Sequence, residues 1–171
     1  NNADKLRRNK IVASLMSGKV EWTADADDSE CADLDEAYPA GEIALPIGAD
    51  SSQFEAICAA VNDKSFILHG PPGTGKSQTI TNIIANALYK GKKVLFVAAL
   101  QVLQRRLESI GIAPFCLELH SNKTKKSSVL EQLKRTTEVV KRKSNEQYRI
   151  EAEQINTLRR ELNDYVHVLH K

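Results

Sequence analysis

The sequence predicts an α/β protein: a parallel sheet of about three strands with helices on its faces, continued at the C-terminal end by a long helical arm. Three observations carry this. Phe66-Ile67-Leu68, Val94-Leu95-Phe96-Val97 and Phe115-Cys116-Leu117 are short apolar runs bounded by turn chemistry, as buried parallel strands should be. Helical spacing separates them. Ile80, Ile83, Ile84, Ala87 and Leu88 share a stripe closed by Gly91, and Leu100, Leu103, Leu107 and Ile110 share one closed by Gly111. From Lys126 onward the pattern stays helical, with one break.

At the N-terminal end, Leu6, Ile11, Val12, Leu15 and Met16 suit a short amphipathic helix over residues 5–17, ended by Gly18. The acidic stretch 21–36 has few apolar residues and no period, so residues 1–49 divide into a helix and an acidic linker. Tyr38-Pro39-Ala40-Gly41 is a turn pattern. Ser52-x-x-Glu55 has the spacing of a capping box and opens a helix through Phe54, Ile57, Cys58 and Val61, at the start of a core over residues 50–122. Residues 123–171 make the arm. Ser144-x-x-Gln147 is a second capping box, after which Ile155, Leu158, Leu162, Tyr165 and Leu169 fall at heptad spacing. At about 1.5 Å per residue this last helix reaches roughly 38 Å, too long for the sheet, and is expected to project.

Composition limits the function classes. The chain of 171 residues is 42% hydrophobic and 27% charged, normal for a soluble domain, and no apolar run is long enough for a membrane span. A cytoplasmic setting is the expectation. Cys31, Cys58 and Cys116 lie far apart and form no Cys-x-x-Cys pair, so they read as reduced thiols. Net charge is only +2 but unevenly spread: residues 20–63 contain no Lys or Arg, while eight crowd the stretch from Lys123 to Lys143. That asymmetry points to a polyanion on one face or to a solvated helix.

The chemistry lies in Gly70-Pro71-Pro72-Gly73-Thr74-Gly75-Lys76-Ser77, which fits G-x-x-x-x-G-K-[ST] without a mismatch between an apolar run and an amphipathic helix. Glycines let the backbone curl so that its N–H groups face a phosphate, and the helix that begins there adds its positive end. Lys76 is placed to reach the β- and γ-phosphates of a nucleoside triphosphate, and the Ser77 hydroxyl to ligate Mg²⁺. Gln78, which follows, completes the expected cofactor-binding set. Other motifs are weaker. Asp35-Glu36-Ala37 lies upstream and follows acidic rather than apolar residues, so it is no Mg²⁺ motif. Asn122-Lys123-Thr124-Lys125 lacks the Asp of a guanine-reading loop. His167 and His170 read as a surface pair, and His69 as a packing residue.

Around the loop, Leu45-Pro46, Ala49-Asp50-Ser51-Ser52-Gln53, Thr79-Ile80-Thr81-Asn82-Ile83-Ile84-Ala85 and Phe115-Cys116-Leu117-Glu118-Leu119-His120-Ser121-Asn122-Lys123 resemble superfamily 1 DNA/RNA helicases. The likeness is strongest to the large bacterial helicase-related proteins of that superfamily and covers residues 45–171. It implies a RecA-like P-loop NTPase core, the N-terminal part of a first motor domain that uses ATP and Mg²⁺ and acts on single-stranded nucleic acid. By the same resemblance Gln53 matches the glutamine that reads adenine, and residues 94–98 the strand that touches nucleic acid. The helices from Lys126 match the arm inserted in the motor domain. Lys123, Lys125 and Lys126 are the expected nucleic-acid contacts.

Two departures stand out. Val97-Ala98 runs into Ala99-Leu100 without turn residues, although a βα connection takes about 2–6 residues, so a loop is expected to be missing from the numbering there. No Asp-Glu motif follows the phosphate loop, so this chain alone is expected to bind ATP and hardly hydrolyse it. The leading reading is an ATP-binding fragment of a helicase or translocase. The alternative is an ATP-gated switch whose helical arm engages a protein. A AAA-type machine is set aside, because the glutamine lies upstream and the arm follows the third apolar run.

Overall fold

A computed structural model of the chain describes residues 8, 10–19, 34–97, 101–117, 126–141 and 143–170, the side chains of residues 15 and 101 excepted. Its helices are α1 (Lys10–Ser17), α2 (Leu34–Ala37), α3 (Ser51–Val61), α4 (Lys76–Tyr89), α5 (Gln101–Ser109), α6 (Lys126–Thr137) and α7 (Asn145–Leu169). A 3-10 turn at Ala113–Phe115 lies between α5 and α6. None of these helices is long and apolar enough to cross a membrane.

The expected parallel sheet is not present: among the described residues there is no strand, and the α/β assignment is corrected to a helical architecture. Residues 66–68 and 94–97 carry no regular secondary structure, and Ile67, Leu95 and Val97 are 78%, 87% and 83% exposed. The third run starts inside the 3-10 turn. The reason is physical. An apolar run shows that a segment suits burial, but a ladder belongs to two segments that exchange N–H and C=O groups. No backbone hydrogen bond joins these runs among the described residues.

Helix α4 organises the packing. Ile83 faces a cluster built on Ile43, Ile57 and Cys58 with Tyr38, Phe54 and Val61, which fixes α3 on one side. On the other side Ile84 packs with Leu103 and Leu107 of α5, joined by Ile80, Leu88, Phe96 and Cys116. One amphipathic helix thus supplies both clusters. Lys92, just past α4, ties the two helix ends together: its Nζ lies 2.5 Å from Asp63 Oδ1 and donates to the Val61 carbonyl at 3.2 Å. Cys58 and Cys116 are free thiols, and burial pushes the Cys58 pKa up to about 11.

The last helix begins where the second capping box places it. Ser144 caps α7 and accepts from the Gln147 N–H, while Gln147 answers with its own side chain. Helix α7 docks through Tyr148, Ala152, Asn156, Arg159 and Asn163, residues spaced four, four, three and four apart. Asn156 Oδ1 accepts from Ala40 N–H at 2.8 Å, and Arg159 reaches Asp35 Oδ1 at 3.3 Å and the Tyr38 carbonyl at 3.1 Å. Tyr89 and Tyr148 rings meet at 6.1 Å. The heptad seam is rotated off this face, and Leu158, Leu162, Tyr165 and Leu169 are all exposed. The helix therefore lies along the segment 35–41 instead of projecting freely from its root.

Candidate functional site

The loop is shaped by the way α4 starts. Its N-cap is Gly75 at φ 76°, ψ 12°, in the left-handed region where a side chain is strained, and no side chain caps the helix. Helix α3, by contrast, is closed by a capping box. The first N–H groups of any α-helix have no intrahelical acceptor. At α4 the Gln78 N–H turns back to the Gly75 carbonyl at 2.8 Å, and the donors ahead of it carry no side-chain cap, beside the positive end of a helix of 14 residues. Gly73, at φ 92°, supplies the other left-handed turn. A Cβ on Gly70 would stand 2.8 Å from Thr74 Oγ1, so the loop closes tightly on itself.

Lys76 lies inside this curl. Its ammonium donates to the carbonyl of Gly70, to that of Pro71 at 2.6 Å, and meets Thr74 Oγ1 at 3.5 Å. Thr74 Oγ1 in turn donates to the Pro71 carbonyl at 2.9 Å. Pro71, Pro72, Gly73 and Thr74 are exposed, while Gly70, Gly75, Lys76, Ser77 and Gln78 are half-buried. The charge is therefore held at the loop by neutral carbonyls, which a charge-assisted bond to an anion outmatches.

Gln53 reaches the loop from α3. The capping box there is formed by Asp50 and Gln53, not by Ser52 and Glu55: Asp50 Oδ1 accepts from Gln53 N–H at 2.8 Å and Gln53 Oε1 accepts from Asp50 N–H at 3.4 Å. The helix starts two residues earlier than the Ser52 pattern implies, because Asp50 offers the carboxylate acceptor. The remaining side of the amide faces the loop, with Gln53 Nε2 donating to the Thr74 carbonyl at 3.2 Å. A carboxamide has two N–H donors and two acceptor lone pairs, so one of each remains for a ligand edge.

Two residues of this assembly escape a sequence reading. Asn82 and Asn86 of α4 are fully buried. Asn82 accepts from Ile47 N–H at 3.2 Å and donates to the Ile47 carbonyl at 2.8 Å. Asn86 accepts from Ala44 N–H at 2.9 Å and donates to its carbonyl at 2.7 Å. Each amide pairs both backbone groups of one residue, as a neighbouring strand would. The available signal was two asparagines four apart, beside the apolar stripe of Ile80, Ile83, Ile84, Ala87 and Leu88.

Other candidates stand apart. Lys123 and Lys125 lie outside the described residues, as does the junction at residues 98–100; Lys126 opens α6 and is exposed. His69 is exposed beside the loop. No group of three His, Cys, Asp or Glu side chains that could hold a metal occurs among the described residues. Ser77, whose hydroxyl the sequence marks as a Mg²⁺ ligand, lies in the first turn of α4 next to Lys76.

Comparison with known proteins gives local matches. The chain is 55% identical over 48 residues to the uncharacterized ATP-dependent helicase MG140 of Mycoplasma genitalium, which covers 26% of this chain and 4% of that protein. It is 53% identical over 51 residues to the MG140 homolog of Mycoplasma pneumoniae, 28% of this chain and 5% of that protein. It is 50% identical over 50 residues to the DNA-binding protein SMUBP-2 of Rattus norvegicus, 29% of this chain and 5% of that protein. The chain thus spans about a twentieth of the length of these relatives. No solved structure matches it significantly. The sequence model described as an AAA domain matches residues 48–170. That match takes in the loop, Gln53, both buried asparagines and the arm, and with it the chain belongs to the helicase-associated AAA domain family.

Proposed function

We propose that this chain is the nucleotide-gripping part of a nucleic-acid-dependent ATPase, a helicase or translocase of superfamily 1. The observation that carries the reading is the junction of α3 with the loop: Gln53 bonded to Thr74, beside an uncapped helix start and the Lys76 ammonium. In this reading the N–H groups of residues 73–77 hold the phosphates of ATP, and Lys76 leaves the Gly70 and Pro71 carbonyls to pair with the β- and γ-phosphates. Ser77 ligates Mg²⁺, which when bound neutralises phosphate charge. Gln53 pairs with the adenine edge, and Gln78 lines the same wall. The setting is cytoplasmic and the partner single-stranded nucleic acid, held in part by Lys123, Lys125 and Lys126. The roles assigned to these residues are binding roles, so ATP binding with little turnover is the activity assigned to the chain itself.

The test is calorimetric titration with MgATP. Replacing Lys76 by Ala removes a charge-assisted contact worth about 1.5–3 kcal/mol, so affinity should fall roughly 10- to 150-fold. Equal affinities of a folded Lys76→Ala variant and the parent would remove the loop from phosphate binding. The second reading is an ATP-gated protein-binding switch, favoured by the exposed seam of α7. The two separate on linkage: an oligonucleotide should change the ATP affinity of a nucleic-acid motor and leave that of a protein switch unaltered.

A further inference from the structure

We infer that Asn82 and Asn86 are positioning residues that hold Gln53 in register with the phosphate loop, and so set the preference for the base of the nucleotide. The inference rests on the reading of Gln53 as the base-contacting residue. Its basis is that α4 performs two jobs at once. Its N-terminal end builds the phosphate grip, and its second and third turns pin residues 44–47 through four hydrogen bonds between side-chain amides and backbone. Asn86 Nδ2 also donates to the Asn82 carbonyl at 2.8 Å, tying the two amides together.

Three residues beyond Ile47, Asp50 caps α3 and fixes Gln53 within the capping box. From there Gln53 returns to the loop at Thr74. The route from Asn82 along 47–50–53–74 and back to the start of α4 is a closed circuit with no free joint longer than three residues. Reading a base while gripping its phosphates needs these two contacts at a fixed separation. The circuit supplies that separation through a helix, the stiffest spacer available. A purely stabilising role would not require each amide to satisfy both the N–H and the C=O of one residue; an apolar side chain packed on the same segment would bury it as well. A burial of this kind is tolerated because every polar atom of the pair is satisfied.

The experiment measures affinities of MgATP, MgGTP and inorganic tripolyphosphate for the whole chain, its Gln53→Ala variant and its Asn82→Asp variant. All are measured well below the unfolding temperature of each protein. Asn82→Asp keeps the acceptor for Ile47 N–H and loses the donor to its carbonyl. The expected result is a drop of about fivefold in the ATP-to-GTP affinity ratio, with tripolyphosphate affinity unchanged within twofold. Adding Gln53→Ala to Asn82→Asp should then change the ratio no further. If Asn82→Asp does not fold, Asn86→Asp, one turn along, must show the same split. A ratio that falls in Gln53→Ala but holds in the folded asparagine variants overturns the positioning role alone. Equal affinity of the parent chain for ATP and GTP overturns the reading of Gln53 and the inference with it. Affinities for all three ligands that fall in proportion would mark the asparagines as stabilising residues only.

Discussion

Gln53 Nε2 donates to the backbone carbonyl of Thr74 at 3.2 Å, so helix α3 and the phosphate loop are joined by a hydrogen bond across 21 residues of sequence. The bond needs the backbone between Thr74 and Lys76 to come very close to α3. Gly75 permits that approach. A Cβ there would collide with Gln53 Nε2 and stand 2.9 Å from Gln78 Oε1. The glycine of the motif therefore answers two demands, a left-handed backbone and room for the glutamine wall.

Gly75→Ala should consequently act twice. The left-handed conformation at φ 76° costs a non-glycine residue about 1–2 kcal/mol, visible as a lower unfolding free energy. The methyl group should also push Gln53 off Thr74 and weaken MgATP binding by more than the stability loss accounts for. Normal nucleotide affinity in a folded Gly75→Ala protein would show that the loop opens away from α3 on binding.

The legibility of the molecule in its sequence divides along physical lines. The Ser144 box and the glycines closing α1, α4 and α5 were readable, because capping and left-handed backbone depend on residues within one turn. Gly18, Gly91 and Gly111 all have positive φ. At α3 the sequence Asp50-Ser51-Ser52 offers three successive cap residues, and the reciprocal bonds between Asp50 and Gln53 distinguish them. The sheet was misread because apolar runs such as 94–97 do not carry the identity of their pairing partner. Asn82 and Asn86 were hidden for the opposite reason: a polar residue in a helix reads as solvent-facing, and here both turn inward onto backbone groups far away in sequence. The G-x-x-x-x-G-K-[ST] pattern needs no tertiary information to be read, since it is contained in eight consecutive residues.

Cys58 gives a pH prediction. Burial is the main cause that lifts its thiol from 9.0 to about 11. The folded state therefore keeps the proton in a range where the unfolded chain has lost it, and stability must fall as pH rises. The contribution should be intact below about pH 9 and lost between pH 9 and 11, amounting to about 2–3 kcal/mol. Urea titrations across that range, on the parent and on Cys58→Ala, isolate it from other titrating groups. The stability difference between the two proteins should shift by that amount; a difference independent of pH would mean that the thiol ionises as freely in the folded chain as in the unfolded one.

Arg159 anchors the arm. Its guanidinium bonds the Tyr38 and Asp35 carbonyls at 3.1 and 3.4 Å and pairs with Asp35 Oδ1 at 3.3 Å, with 21% of its side chain exposed. Partial exposure screens the charge, so Arg159→Ala should cost about 1–2 kcal/mol, below the value for a fully buried pair. Amide hydrogen exchange of residues 35–41 and of α7 should then accelerate about 5- to 30-fold while α4 keeps its protection. Unchanged exchange in both segments would assign the docking to Asn156 and Ala152 instead.

The basic segment yields the last prediction. Lys134 and Arg135 pair with Glu138 and Glu131, and Lys143 with Glu151, so part of the positive charge is already met by carboxylates on the same arm. Lys141 donates to Asn145 Oδ1. Lys126 opens α6 with its side chain exposed, and the test falls on Lys123, Lys125 and Lys126, the contacts that the helicase resemblance implies. Each phosphate neutralised on a single strand contributes about −0.7 to the slope of log K against log salt, so three or four contacts give a slope of roughly −2 to −3. Changing the three lysines together to Ala should flatten that slope by about 2. Fluorescence titration of a labelled oligonucleotide at several salt concentrations measures it directly. A slope that survives the triple change would move the track away from this cluster, and binding without salt dependence in the parent would leave the arm to a protein partner on the exposed seam of α7.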